Sequence, residues 1–334
     1  MEQGSAKGLS PLINSIGESA HYQQIVQWSN ENIEVLESKL ANIRRLLTLE
    51  VNDTQFNEAI NDFHFIIDKV PLMVTFIEPT YIVRARPNYN GEIFEFEHQI
   101  SYNSTNTDVI EAGRFNRPKE GLFYGGLRVD NPETDYVLAC SLESCKELIH
   151  PDNPPSIQDM TVGRWIVGER FPVVNFCFND AHLYGNQVIQ AATSGYLKEM
   201  RNYFNGRAAT FVKDLMFFVS DLSCAAQPGN GYYILNALFY AIIYYYKNTY
   251  GVLPAGVIYP SAMSESKGLN IVMLPPAVEY YLKLDKVVMY RFFLVKDNKQ
   301  YISYPCSDLV DVIDNKFSIT NYVQNGHSQR LNFF

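Results

Sequence analysis

Four arginines lie beside turn-forming residues: Arg84 and Arg86 in "YIVRARP", and Arg114 and Arg117 in "EAGRFNRPKEGLFYGG" (111–126). A guanidinium is a planar fork that keeps its charge and donates paired hydrogen bonds, the geometry that grips phosphate. Taken alone, each reads as readily as a solvated arginine. Their company sharpens the reading: Arg84 and Arg86 leave a strand-like run at Pro87, while Arg114 follows Gly113 and precedes Asn116, Pro118 and Gly121. Tyr124 precedes Gly125-Gly126, a pair that would let a ligand approach the backbone closely. The plain alternative is a core tyrosine before a turn. Glu143 in "LACSLES" sits among small and apolar neighbours, either as a helix-surface charge or as a buried carboxylate. Ser261 ends the apolar run "AGVIYPS" and Asn270 begins "LNIVML"; both read as hydrogen-bonding residues.

Other chemistries find no support. Ser261 lacks a G-x-S-x-G elbow, and the six histidines form no H-x-x-x-H pair, so neither a serine-hydrolase triad nor a catalytic metal is expected. The five cysteines are odd in number and include no CxxC, which disfavours a disulfide framework or a zinc knuckle and fits a reducing cytoplasm. A net charge of −9 with scattered basic residues argues against a nucleic-acid surface. The first twenty residues lack a basic segment followed by an apolar one, so no signal peptide is expected. The most apolar run, "YYILNALFYAIIYYY" at 232–246, is shorter than the ~20 residues that cross a bilayer and reads as a buried helix; no membrane is expected as a partner.

The elements that would position these residues belong to an α+β chain of 334 residues, 47% hydrophobic and 14% aromatic, long enough to bury a large core. Residues 20–50 repeat apolar residues in threes and fours (Ile25, Trp28, Leu36, Leu40, Ile43, Leu47), and 52–70 continue with Phe56, Ile60, Phe63 and Ile67. Residues 1–75 therefore read as a helical region, a hairpin preceding a domain at 76–334. Strands are expected within 71–87 and at 92–100, 171–178, 255–261, 269–274, 287–296 and 300–305. Helices are expected at 132–148, opened by Asn131-Pro132-Glu133, and at about 182–203, 206–221 and 232–249.

Taken in chain order, "YIVRARP", "AGRFNRPKEGLFYGG", "LACSLES" and "AGVIYPSA" with "GLNIVMLP" resemble the RES-domain family over roughly residues 78–275. The resemblance implies an ADP-ribosyltransferase-like mixed β core with surrounding helices. It also implies the activity of the family's bacterial toxins, cleavage of the nicotinamide–ribose bond of NAD with water or phosphate as acceptor. NAD is then the substrate, with no further cofactor and no metal. The family arginines fall on Arg84 and Arg114, its tyrosine on Tyr124, its glutamate on Glu143 and its serine on Ser261; Arg86, Gly113, Asn116 and Asn270 are expected beside them as binding residues. "RVDNPETDYV" lengthens the Tyr-to-Glu spacing, which leaves Glu133 as the other candidate for the glutamate.

The implied chemistry suits these types. Breaking an N-glycosidic bond builds positive charge on the ribose, which a carboxylate stabilises in the transition state. Arginines would clamp the pyrophosphate, and Tyr124 would pack against the nicotinamide or its ribose. ADP-ribosyl transfer to a macromolecule, or nucleotide binding without turnover by an interaction protein, are the alternatives. An NAD-destroying activity needs a brake, so an antitoxin, a regulatory protein or a second copy of the chain is expected to dock on the face of Leu36, Leu40, Ile43 and Leu47. Alternatively those helices cover one face of the catalytic core.

Overall fold

The switch from helical to alternating periodicity near residue 71 is where the helices end and the sheet begins. A computed structural model of the chain describes residues 20–50, 52–127, 136–145, 148, 157–178, 187–224, 229–261, 268–295 and 300–322. The helical start comprises α1 (Ala20–Glu31), α2 (Ile33–Leu46) and α3 (Asp53–Lys69). The continuous helix expected over 20–50 is interrupted at Asn32, whose side-chain amide bonds the Trp28 carbonyl at 2.8 Å. A short polar side chain that engages nearby backbone favours such breaks. Asn52 opens α3 as a reciprocal cap: its side chain accepts from Thr54 N and Gln55 N, and Gln55 Oε1 accepts from Asn52 N.

Among the described residues, ten strands form one sheet in the order β1-β5-β6-β7-β3-β2-β4-β8-β10, with β9 also on β8. They are β1 (Val74–Ile77), β2 (Tyr81–Asn88), β3 (Phe123–Leu127), β4 (Ile157–Val167), β5 (Phe171–Asn175), β6 (Gly256–Pro260), β7 (Leu269–Met273), β8 (Leu282–Val295), β9 (Gln300–Pro305) and β10 (Val310–Asp311). Every pair is antiparallel except β5 with β6. A parallel pair needs a crossover. Here it contains three long helices that cover one face: α6 (Gln187–Tyr203), α7 (Gly206–Ser223) and α8 (Asn230–Tyr250). Between the strands lie α4 (Glu97–Ile100), α5 (Tyr136–Ser144) and α9 (Pro275–Tyr281).

Two expectations fail for identifiable reasons. The run 92–100 is not a strand: Gln99 Oε1 accepts from Glu95 N and Phe96 N, ending the extended stretch and starting α4, and only Phe96 pairs, with Lys316. The glycine pair suggests a close ligand approach, but Gly125 and Gly126 are interior to β3, between β2 and β7. A Cβ on Gly125 would collide with Ile82, so close strand packing requires that glycine. The central strand β4 escaped the sequence reading too. The expected start of the 132–148 helix, Asn131-Pro132-Glu133, lies outside the described residues.

The sheet has two differently covered faces. On one, Val83 and Ala85 of β2 and Met160 and Val162 of β4 meet Val137 and Cys140 of α5, while Val257, Tyr259 and Val272 join the helices. On the other, Ile82, Phe123, Trp165, Ile271 and Met273 pack with Ile100 and Phe317. Leu36, Leu40 and Ile43 of α2 are only 1%, 3% and 0% exposed, sharing a core with α7, α8 and the sheet. The face assigned to docking an inhibitor is thus already filled by the rest of the chain. No described helix is long and apolar enough to cross a membrane.

The tightest strand crossing yields a first prediction. A Cβ on Gly256 would strike the Val272 carbonyl oxygen, and backbone cannot swing aside as a side-chain end can. Gly256→Ala should therefore cost about 1–3 kcal/mol, the usual range for overpacking. Urea unfolding would register it as a lower midpoint; an unchanged midpoint would mean that the strands separate more easily than this packing implies.

Candidate active site

Helix α5 brings Glu143 to the sheet because its apolar side rests on β2. Cys140 lies 3% exposed with its Sγ–H donating to the Val83 carbonyl at 3.3 Å, and Glu143 follows almost one turn later. Burial pushes the Cys140 thiol up, which keeps it protonated and inert. Among the described residues, donors from three other parts of the chain meet the Glu143 carboxylate. Arg114 Nη1 donates to Oε2 at 2.9 Å; Ser261 Oγ and Asn270 Nδ2 donate to Oε1 at 2.8 and 3.1 Å. The ion pair is largely buried, with side-chain exposures of 9% for Arg114 and 11% for Glu143.

Each donor is itself held. Ser261 follows β6 and its amide donates to the Gly268 carbonyl. Asn270 lies in β7 opposite Gly126 on one side and Tyr259 on the other. Arg114 sits in a closed turn in which the Gly113 amide donates to the Asn116 carbonyl at 3.0 Å. A Cβ on Gly113 would collide with the Asn116 side chain, so the turn needs glycine there. The Arg114 guanidinium lies 5.7 Å from the Tyr232 ring and 5.9 Å from the Tyr259 ring. Burial opposes its charge, but Glu143 and the neighbouring tyrosines outweigh that and hold its pKa above the ordinary arginine value.

Tyr124 and Asn116 complete the turn. The Tyr124 hydroxyl accepts from Phe115 N at 3.0 Å and donates to Asn116 Oδ1 at 2.9 Å, and Asn116 Nδ2 donates to the Glu111 and Arg117 carbonyls. Burial raises the Tyr124 pKa above the usual phenol range, so the group stays neutral. The hydroxyl therefore braces the Arg114 turn, a task the sequence did not suggest.

Glu143, Arg114, Ser261, Asn270, Tyr124, Asn116 and Gly113 are thus gathered on one face. Arg84 and Arg86 are not among them. Alternation along β2 places both with Ile82, on the face opposite Val83 and Ala85. Arg84 lies over the Phe123 ring at 5.0 Å and donates to three main-chain carbonyls: Tyr124 at 2.5 Å, Ile100 at 3.1 Å and Ser101 at 3.2 Å. Burial, helped by Arg86, lowers the Arg84 pKa to about 10, which still leaves it charged at neutral pH. Arg86 is half-buried, and burial lowers its pKa as well. Arg84→Ala should destabilise the fold by about 2–3 kcal/mol, the scale of hydrogen bonds to a charged donor, and leave ligand affinity at the Glu143 face unchanged. Denaturation together with an NAD titration checks this; a lost affinity without lost stability would return Arg84 to the clamp.

Three neighbours of the site were not singled out from sequence: Tyr232, Asn236 and Tyr259. Asn236 is 1% exposed, and its side-chain amide donates to the Gly113 carbonyl at 2.9 Å, tying the turn to α8. Its signal was visible as one amide inside the apolar run "YYILNALFYAII", since a buried polar side chain is normally there to meet a partner. Glu133 lies outside the described residues. Compared with protein-family models and with curated proteins, the chain matches none.

Proposed function

We propose that the protein is a cytoplasmic NAD-consuming enzyme with an ADP-ribosyltransferase-like core, which cleaves the nicotinamide–ribose bond and passes ADP-ribose to water or phosphate. One observation carries the reading: a largely buried carboxylate, Glu143, fixed by Arg114, Ser261 and Asn270. As the C1′–N bond lengthens, its electrons go to the pyridinium ring and neutralise it, while positive charge grows on the ribose. A carboxylate already oriented needs no reorganisation to stabilise that charge. The leaving group needs no proton, so the site requires no acid. Arg114 can serve twice, because a guanidinium fork donates from more than one edge: Nη1 holds Glu143 while another edge takes a pyrophosphate oxygen. The rings of Tyr232 and Tyr259 flank that fork.

The non-catalytic alternative rests on the long Tyr-to-Glu spacing and would be favoured by a Glu143 pointing into solvent; its side chain is 11% exposed. Product analysis separates the remaining acceptors. Incubated with NAD, the protein should release nicotinamide together with ADP-ribose, or with ADP-ribose 1-phosphate when phosphate is present. Nicotinamide accompanied by mass added to a protein or nucleic acid would make it a transferase. A toxin role would further require an antitoxin, for which a co-purifying inhibitor of nicotinamide release is the test.

A further inference from the structure

The turn that carries Arg114 inward also carries Arg117, three residues on, toward α3. The Arg117 guanidinium lies 4.7 Å from the centroid of the Phe56 ring, and its Nη2 donates to Asp53 Oδ1 at 3.2 Å. Asp53 is the first residue of α3 and Phe56 closes its first turn, both placed by the reciprocal cap at Asn52. The two contacts differ in weight. The Asp53 side chain is 88% exposed, so its ion pair is screened by salt and water. Phe56 is 4% exposed and immobile in the core, so stacking on it is the firmer contact.

The other side of the turn is held as well. Arg117 N donates to Glu120 Oε2 at 2.9 Å, and the Tyr240 hydroxyl of α8 donates to Glu120 Oε1. Tyr240 meets Phe56 edge-on at 5.9 Å. Phe56, Tyr240, Glu120 and Arg117 therefore close a ring that joins α3, α8 and the turn. Asn116, adjacent in the chain to Arg117, receives the Tyr124 hydroxyl, and its carbonyl takes the Gly113 amide. A displacement of Arg117 is thus passed through short hydrogen bonds to the residues on either side of Arg114.

We propose that Arg117 is a positioning residue, through which the first turn of α3 holds the Arg114 guanidinium in place against Glu143. The N-terminal helices then belong to the working parts of the site and are more than its cover. The effect on catalysis rests on the NAD reading above; the effect on the turn does not.

The test uses the full chain and the variants Arg117→Ala, Phe56→Leu and their combination. Arg170→Ala serves as a matched control, because Arg170 makes the same kind of stack at the β1 edge of the sheet, 3.9 Å from the Phe76 ring with its Nε bonded to Glu78 at 3.0 Å. Two quantities are read: amide hydrogen exchange in the segment 113–117, and kcat and KM for NAD separately. Arg117→Ala should speed exchange there by about tenfold and lower kcat by about 5–20-fold, as a misplaced group does. Its melting temperature should stay within about 3 °C of the parent. Phe56→Leu should act in the same direction, and the combination should be no worse than the poorer single variant, since both break one contact. Arg117→Lys, which keeps the charge without the planar face, should restore only part of the loss. Wild-type exchange in Arg117→Ala, additive single effects, or an equal fall of kcat in Arg170→Ala would each overturn the proposal. A parent protein that releases no nicotinamide would refute the NAD reading alone, and the exchange comparison would still decide for or against Arg117.

Discussion

Glu143→Gln should lower the turnover of NAD by about 10²–10³ while leaving its affinity within a few-fold of the parent, as for loss of one preorganised charge. The substitution keeps the size of the side chain and an acceptor for Ser261 and Asn270, removes the charge, and turns the oxygen that accepts from Arg114 into an amide donor. It also leaves Arg114 buried without its counter-ion, and breaking one side of a buried pair costs about 3–5 kcal/mol. Kinetics must therefore be read on protein shown to be folded. A combined Arg114→Met and Glu143→Leu variant separates the two effects. Apolar replacement of both partners should recover part of the stability, yet remain inactive. A combined variant that is as stable as the parent and still turns over NAD would remove the carboxylate from the mechanism.

Deleting residues 1–70 should leave a chain that does not fold. The deletion strips α1, α2 and α3 from the shared core, including Leu36, Leu40, Ile43, Phe56, Phe63, Ile66 and Ile67, each at most 4% exposed. Losing one such phenylalanine to alanine costs about 3–5 kcal/mol. A whole domain has only about 5–15 kcal/mol of net stability, so the summed loss exceeds what the remainder can supply. Circular dichroism and size-exclusion chromatography of the truncated chain measure this. A cooperative, monomeric fold from residue 71 onward would show that the helices are an accessory.

The long helices were legible because their burial is one-sided and local: α3 reads from Phe56, Ile60, Phe63 and Ile67, and α8 from a single apolar run. Strands β6, β7 and β9 were legible as compact apolar or β-branched runs between turns, β6 and β7 being buried along their whole length inside the sheet. Strands β3 and β4 were harder. β3 contains a glycine, Gly125, that admits the neighbouring strand, and local sequence cannot distinguish that from room for a ligand. β4 mixes Asp159, Thr161, Gly163 and Arg164 into its length, because its polar residues bond across strands, as Thr161 does to Asn88 and Arg164 to Asp285.

The same distinction divides the site. Glu143, Ser261 and Asn270 were each recognisable as a polar residue in an apolar setting, and they meet. Arg84 looked equivalent to Arg114 by type and by its turn-side position. Which face of β2 it occupies depends on register with β3 and β4, which no local pattern encodes. The bracing of the Arg114 turn by Tyr124 and Asn236 likewise depends on long-range contacts.

The location of bound NAD tests the account most directly, since the two arginine groups stand on opposite faces of one sheet. A crystal structure of the Glu143→Gln variant, slow enough to hold intact NAD, would give it. The account predicts the ribose C1′ within about 3.5 Å of the residue-143 side chain, the distance of a near-attack geometry, with the pyrophosphate on Arg114. NAD lying instead beside Arg84 and Arg86, with the face of residue 143 and Arg114 left empty, would contradict it.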